Sequence, residues 1–194
     1  MPPRGRPPAA RGVYSFEDAT LFPPTELVLD TSFVLDALLP SQPRHPACQA
    51  FLAGVAEAGS TVFFNHLLEN ELWEAAYRVA FRELHPGKRA TDVRHDGRAR
   101  RRAKRLRADV ETAWRSVLDA LDWVAIDVSE VADAVPDVMA WGLPSYDAVH
   151  VATALYVGVR PLVTLDYHFR LVPRGALDLY VPNYRVRGMR NARA

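Results

Sequence analysis

The chain has 194 residues, 49% of them hydrophobic, enough for one domain with a proper core and too few for two full ones. A single cysteine, Cys48, excludes an intrachain disulfide, and no apolar run approaches the ~20 residues that a membrane span needs. The formal net charge of +1 says nothing about partners, but its distribution does: from Lys88 to Arg107 ten basic residues stand against two acids, Asp92 and Asp96.

Residues 1–25 carry six prolines and no sustained period, and read as a flexible Pro/Arg-rich arm. No apolar segment follows that would make a secretory signal, so a cytoplasmic protein is expected. The globular part is expected over 26–183, with a basic tail at 184–194. Its first strand is Leu27-Val28-Leu29, an apolar run of the kind buried in a parallel sheet, and it ends in Asp30-Thr31-Ser32. A short helix then runs to Leu39 and stops at Pro40. A second follows Pro43 and Pro46, with Cys48, Phe51, Leu52 and Val55 on one stripe, and ends at Gly59.

Thr61 to Phe64 reads as the second strand. Asn65 is placed to cap the next helix, whose inward face carries Leu68, Leu72, Ala75, Ala76 and Val79. Pro86-Gly87 ends it, and a basic insertion occupies about 82–107, becoming helical from about Gly97 to Ala120 through Leu106, Val110, Trp114, Val117 and Leu118. Asp122 to Ile126 is a third strand, followed by helical turns interrupted at Pro136. Ser145 is expected to cap an Ala- and Val-rich helix from Tyr146 to Val157, Pro161 to Thr164 is a fourth strand leading to Asp166, and Leu179 to Val181 is a last strand. Strands separated by helices imply βαβ units: an α/β fold, built as a three-layer α/β/α sandwich on a mainly parallel central sheet.

The acids at the strand ends carry the chemistry. Asp30 follows the first strand, Asp166 the fourth, and Asp147 sits in the first turn of the helix feeding that fourth strand. The carboxyl edge of an open α/β sheet is where ligands bind. In the third helix, Glu71 lies about 60° from the centre of the apolar stripe, whereas Glu69 and Glu74 lie about 100° or more away. Glu71 is therefore the fourth candidate. Carboxylates crowded at one edge repel unless a cation neutralises them, and with no Cys/His cluster of zinc spacing the expected ion is hard, Mg²⁺ or Mn²⁺. Such ions activate water for phosphodiester hydrolysis. His150, one turn after Asp147, reads as a satisfied core histidine, and Tyr167 and His168 as secondary candidates for substrate contact.

Leu29-Asp30-Thr31-Ser32, Asn70-Glu71-Leu72, Tyr146-Asp147-Ala148-Val149-His150-Val151-Ala152-Thr153-Ala154 and Val163-Thr164-Leu165-Asp166-Tyr167-His168-Phe169 together resemble PIN-domain ribonucleases, and among them the VapC-type toxins of toxin–antitoxin pairs. The resemblance covers roughly Glu26 to Val181. It implies an α/β/α sandwich whose acids Asp30, Glu71, Asp147 and Asp166 bind one or two divalent ions and cut RNA, assisted by the hydroxyls of Ser32 and Thr164. It also implies inhibition by a small antitoxin encoded beside the toxin, and leaves room for a homodimer. The extra arm and the long basic segment depart from the compact pattern. Arg98, Arg100, Arg101, Arg102, Lys104 and Arg105 are too one-sided in charge for helical ion pairing to absorb, and are read as contacts to RNA phosphates. The competing reading is a PIN-like module that grips RNA or protein without cutting.

Overall fold

The computed structural model describes residues 12–192. In chain order its elements are β1 (Val13–Ser15), β2 (Glu26–Leu29), α1 (Thr31–Leu38), α2 (His45–Glu57), β3 (Thr61–Asn65), α3 (Leu67–Leu84), α4 (Ala90–Val93) and α5 (Gly97–Leu118). They continue with β4 (Asp122–Ile126), α6 (Val128–Val131), α7 (Val135–Met139), α8 (Ser145–Tyr156), β5 (Pro161–Val163), β6 (Asp178–Val181) and α9 (Asn183–Ala192). Short 3₁₀ turns at Ala132–Ala134 and Tyr167–Leu171 complete the set.

The six strands form one sheet, ordered β1-β6-β5-β2-β3-β4, and every neighbouring pair is parallel. The mainly parallel sheet expected from the strand–helix alternation is thus wholly parallel among the described residues. Successive strand residues point to opposite faces, so Leu27 and Leu29 join Val62, Phe64 and Val163 against α1, α2, α3 and α5, while Val28 and Leu162 join Leu179 and Val181 against α6 to α9. Helices cover both faces, giving the three-layer α/β/α sandwich. Each fully buried Leu or Phe, such as Leu29, Phe33 or Phe64, contributes about 1.5–3 kcal/mol. Gly158, at φ +70, takes the left-handed position that lets α8 end and the chain turn into β5.

Two segments differ from expectation. The arm expected over 1–25 supplies β1, an edge strand paired to β6 in the register Val13↔Leu179 and Ser15↔Val181. Apolar burial drives this: Val13 and Phe16 are buried, and Phe16 packs edge-on against Phe33 at 5.3 Å. Arg190 clamps the strand by donating through Nε and Nη2 to the Val13 carbonyl at 3.1 and 2.8 Å. Residues 1–11 of the expected arm lie outside the described residues. The basic tail, in turn, is helical through Ala192, because Met189 gives α9 an apolar anchor in the core.

Residues 82–107, where a basic insertion is expected, form the end of α3, all of α4 and the first half of α5, and their Val93 and Ala99 pack with Phe81 in a small core of its own. No helix among the described residues is long and apolar enough to cross a membrane.

β2 is central, with β3 on one side and β5 on the other. The chain leaves β2 in one direction and returns to β5 from the other, so the order reverses between these two strands. That switch point is where an open α/β sheet leaves a crevice at its carboxyl ends.

Candidate metal centre

Asp30 occupies the crevice as the residue between β2 and α1. Its extended backbone (φ −93, ψ 149) makes it the cap of α1, with Oδ2 accepting from the Ser32 backbone N–H at 3.2 Å. The same oxygen accepts from the Ser32 hydroxyl and, at 2.8 Å, from the Thr164 hydroxyl across the β2–β5 seam. Those hydroxyls are themselves fixed: Ser32 Oγ accepts from Leu165 N–H at 2.9 Å, and Thr164 Oγ1 from Asp166 N–H at 2.8 Å. Capping and site roles are therefore compatible, because Oδ2 does the first while Oδ1 accepts no hydrogen bond among the described residues. Burial raises the Asp30 pKa above the carboxylate norm, against the lowering effect of the His150 charge and the Ser32 and Thr164 hydroxyls.

Glu71, on α3, reaches the same crevice through His150, on α8. Glu71 Oε2 accepts from Thr31 Oγ1 at 2.5 Å and from His150 Nε2 at 2.9 Å, and that nitrogen lies 3.6 Å from Asp30 Oδ1. His150 is 1% exposed. Burial pushes its pKa down, but the Glu71 hydrogen bond and the charges of Asp30, Glu71 and Asp147 outweigh this and leave it raised. For Glu71, burial likewise acts upward, and the His150 hydrogen bond and charge with the Thr31 hydroxyl bring it below its ordinary value. Glu71 is thus ionised at neutral pH, beside an imidazole that favours its charged form.

Asn65 completes this inner layer. It was expected to cap α3; instead it ends β3 with its side chain fully buried, donating from Nδ2 to Thr153 Oγ1 at 3.1 Å and lying 3.1 Å from His150 Nδ1, while His66 occupies the cap position. The reason is the parallel pairing of β3 with β4 through Asn65↔Ile126, which carries the strand one residue further and turns Asn65 inward. Asn65 Oδ1 has no hydrogen-bond partner among the described residues; a half-turn of the amide would present it to a protonated Nδ1. Asn65 and Thr31 are site residues that sequence reasoning missed, and His150, read as a core histidine, is both core and site. A polar side chain at the end of an apolar strand was the only local sign of Asn65.

The second group lies on the other side of the seam. Asp147, in the first turn of α8, and Asp166, which caps the Tyr167–Leu171 turn by accepting from His168 N–H at 2.8 Å, converge with the His168 side chain. Each offers a ligand atom within 4.8 Å of the others. His168 Nδ1 lies 3.3 Å from Asp147 Oδ2 and 3.2 Å from Asp166 Oδ1. Asp147 Oδ2 is nevertheless buried without a properly oriented hydrogen bond. Burial, then the Asp166 and Asp30 charges, raise the Asp147 pKa to about 7.

A buried carboxylate oxygen without a hydrogen bond among the described residues, flanked by two more carboxylates and pushed toward protonation by burial and then by their charges, belongs to a donor set that a hard divalent cation satisfies. Asp147 and Asp166 would hold the ion, with Asp30 Oδ1 and His168 beside them. The four sequence-predicted acids thus meet at one crevice, with Glu71 set back on the His150 side. His168 is a ligand candidate that sequence reasoning placed only near substrate.

The basic residues of α5 stand apart. The helix runs antiparallel to α3, with Arg102 against Glu83 and Arg107 stacked on Trp73 at 4.3 Å. Glu83 lies twelve residues, or about 18 Å at 1.5 Å per residue, along α3 from Glu71. Arg98, Arg100, Arg101, Lys104 and Arg105 are exposed and form no ion pair among the described residues. The Arg102 guanidinium, by contrast, forks onto Glu83 at 2.9 and 3.3 Å, so its charge is met within the protein.

A family model described as "PIN domain" matches residues 27–175. No curated protein matches the chain.

Proposed function

The chain belongs to the PIN-domain family, and from that premise we propose that it is a divalent-metal-dependent endoribonuclease acting on structured RNA in the cytoplasm, as the toxin half of a toxin–antitoxin pair. One observation carries the reading: Asp30, Asp147 and Asp166 are brought to the switch-point crevice, and there Oδ2 of Asp147 is buried without a hydrogen bond among the described residues, its pKa raised to about 7 by burial and then by the Asp166 and Asp30 charges. Burial and two like charges here outweigh the His168 ring 3.3 Å away and the His150 charge, an imbalance of the kind kept at functional sites.

Asp147, Asp166 and Asp30 would hold Mg²⁺ or Mn²⁺. When bound, the ion supplies the charge that lowers the pKa of a water and stabilises the departing oxygen of a phosphodiester. The protein's own groups set the geometry. Ser32 and Thr164 fix one Asp30 oxygen, so the other is aimed rather than free to rotate. Thr31 and His150 hold Glu71 Oε2, leaving Oε1 of an ionised carboxylate as an oxygen able to take a proton. The exposed cations of α5 would grip RNA phosphates remote from the cut. The toxin role rests on the four motifs that resemble VapC-type proteins, and with it the expectation of a small antitoxin partner.

The test is incubation of total cellular RNA with the purified protein and Mn²⁺ or Mg²⁺, beside EDTA and an Asp30→Asn variant. Discrete fragments with 5′-phosphate and 3′-hydroxyl ends, lost in both controls, are expected. Intact RNA bound equally well with or without metal would replace the nuclease by a binding module.

A further inference from the structure

Beside the carboxylate crevice runs a row of alternating guanidinium and phenol groups that no part of the site uses. It begins one residue past Asp166. Tyr167, 39% exposed, has the Arg170 guanidinium 4.4 Å from its ring centre and that of Arg185 at 5.6 Å. Arg185 also lies 5.3 Å from the ring of Tyr184, which is 58% exposed, and donates from Nε to its hydroxyl at 2.9 Å. Arg44 covers Tyr184 at 4.1 Å.

The row is held in place from below. Glu17 bonds Arg44 with one oxygen at 3.1 Å and the Asn183 N–H at the start of α9 with the other at 3.0 Å. The Tyr167 ring packs on Gly188 of α9, where a Cβ would sit 3.5 Å from its hydroxyl. Arg170 donates back to the Tyr167 carbonyl at 3.0 Å. Arg170 and Arg185 form no ion pair among the described residues, and α9 carries Arg185, Arg187 and Arg190 without a single acid.

We propose that Arg170, Tyr167, Arg185, Tyr184 and Arg44 form the surface along which the substrate RNA strand docks beside the cut; this rests on the nuclease reading above. A phosphodiester approaching Asp147 and Asp166 meets like charge, and the Arg170 and Arg185 guanidiniums, which lie against the ring of Tyr167 next to Asp166, offset that repulsion along the strand. Exposed phenol rings and flat guanidinium faces stack on unpaired bases of any sequence, whereas a duplex offers them only stacked edges. The strand that fits is therefore unpaired, a loop or single-stranded stretch within a structured RNA.

The experiment measures binding of a fluorescein-labelled oligouridine by the full chain in EDTA, which prevents cutting. It is run with the strand alone and annealed to its complement, for wild type, Tyr184→Ala, Tyr184→Phe and Arg185→Gln, with melting temperatures to confirm folding. Wild type should prefer the unpaired strand. Tyr184→Ala should lose about tenfold in affinity, the scale of one base stack, while Tyr184→Phe binds like wild type. Arg185→Gln should weaken binding and reduce the salt slope by about one phosphate contact. Equal affinity for strand and duplex, or Tyr184→Ala and Arg185→Gln binding like wild type, overturns the docking surface. If wild type still cuts cellular RNA with Mn²⁺ in that case, the nuclease reading survives; if wild type neither binds nor cuts RNA, both fall.

Discussion

Replacing Asp147 by Asn should stabilise the metal-free protein, and more so as pH rises. The Asp147 pKa rises from 3.8 to about 7 on folding, because burial and the Asp166 and Asp30 charges oppose its ionisation. A carboxyl whose folded pKa lies above its unfolded one favours folding fully below about pH 4, and loses that contribution as pH climbs to about 7. Above that, the folded protein carries an ionised group it would rather protonate. At about 1.36 kcal/mol per pH unit the whole rise corresponds to about 4 kcal/mol. The Asp147 side chain is 15% exposed, so water screens part of this, and about 2 kcal/mol is the working figure.

Asparagine keeps the shape and removes the charge. In EDTA at pH 8 the variant should therefore melt about 4–8 °C above wild type for a chain of this size, and within about 2 °C of it at pH 4.5. Adding Mn²⁺ at pH 8 should raise the wild-type midpoint and leave the variant's almost unmoved, because ion binding to the folded state supplies the missing counter-charge. The measurement is thermal melting followed by circular dichroism across pH 4.5 to 8, with and without the ion. Parallel pH profiles for the two proteins in EDTA would refute the argument that like charges crowd this carboxylate.

Two further outcomes follow from the same geometry. His150→Ala removes the donor held between Glu71 and Asp30 and leaves a buried void, so urea denaturation at pH 7 should show a loss of about 3–5 kcal/mol; a loss under 1 kcal/mol would mean that the imidazole does not bridge the two acids. On α5, replacing Arg100, Arg101 and Lys104 by Gln should flatten the salt dependence of RNA binding by two to three phosphate contacts at about 0.7–0.9 each, whereas Arg102→Gln should leave it unchanged because Glu83 already holds that guanidinium. A slope that falls for Arg102→Gln alone would show that the ion pair opens to RNA.

The residues that were legible are those whose local pattern decides their place. Leu27-Val28-Leu29 reads as a buried strand and is one, and a carboxylate at the end of such a strand lies at the sheet edge. The same holds for Asp166 after β5 and for Asp147 in the first turn of α8. Glu71 was separable from Glu69 and Glu74 because helical angle alone sets which of them borders the core. The one-sided charge of α5 was visible as well, but not that Arg102 would be taken by Glu83, nineteen positions away in the chain.

What escaped the pattern depends on partners far along the chain. Three residues, Val13 to Ser15, show no period, and become a strand only because β6, some 166 positions later, offers an unpaired edge and α9 supplies Arg190 to hold it. Asn65 could cap a helix or finish a strand; the buried Nδ1 of His150, 85 positions on, decided for the strand. Periodicity and turn chemistry, carried by neighbouring residues, therefore determined the α/β class, the order of the elements from β2 to β6 that they could mark, and the position of the four candidate acids along the chain. The tertiary structure alone decided that β2 and β5 lie side by side, and so which acids share a crevice, which one lacks a donor and which oxygens remain free. Those properties come from burial and charge acting between distant segments, and no local run of residues encodes them.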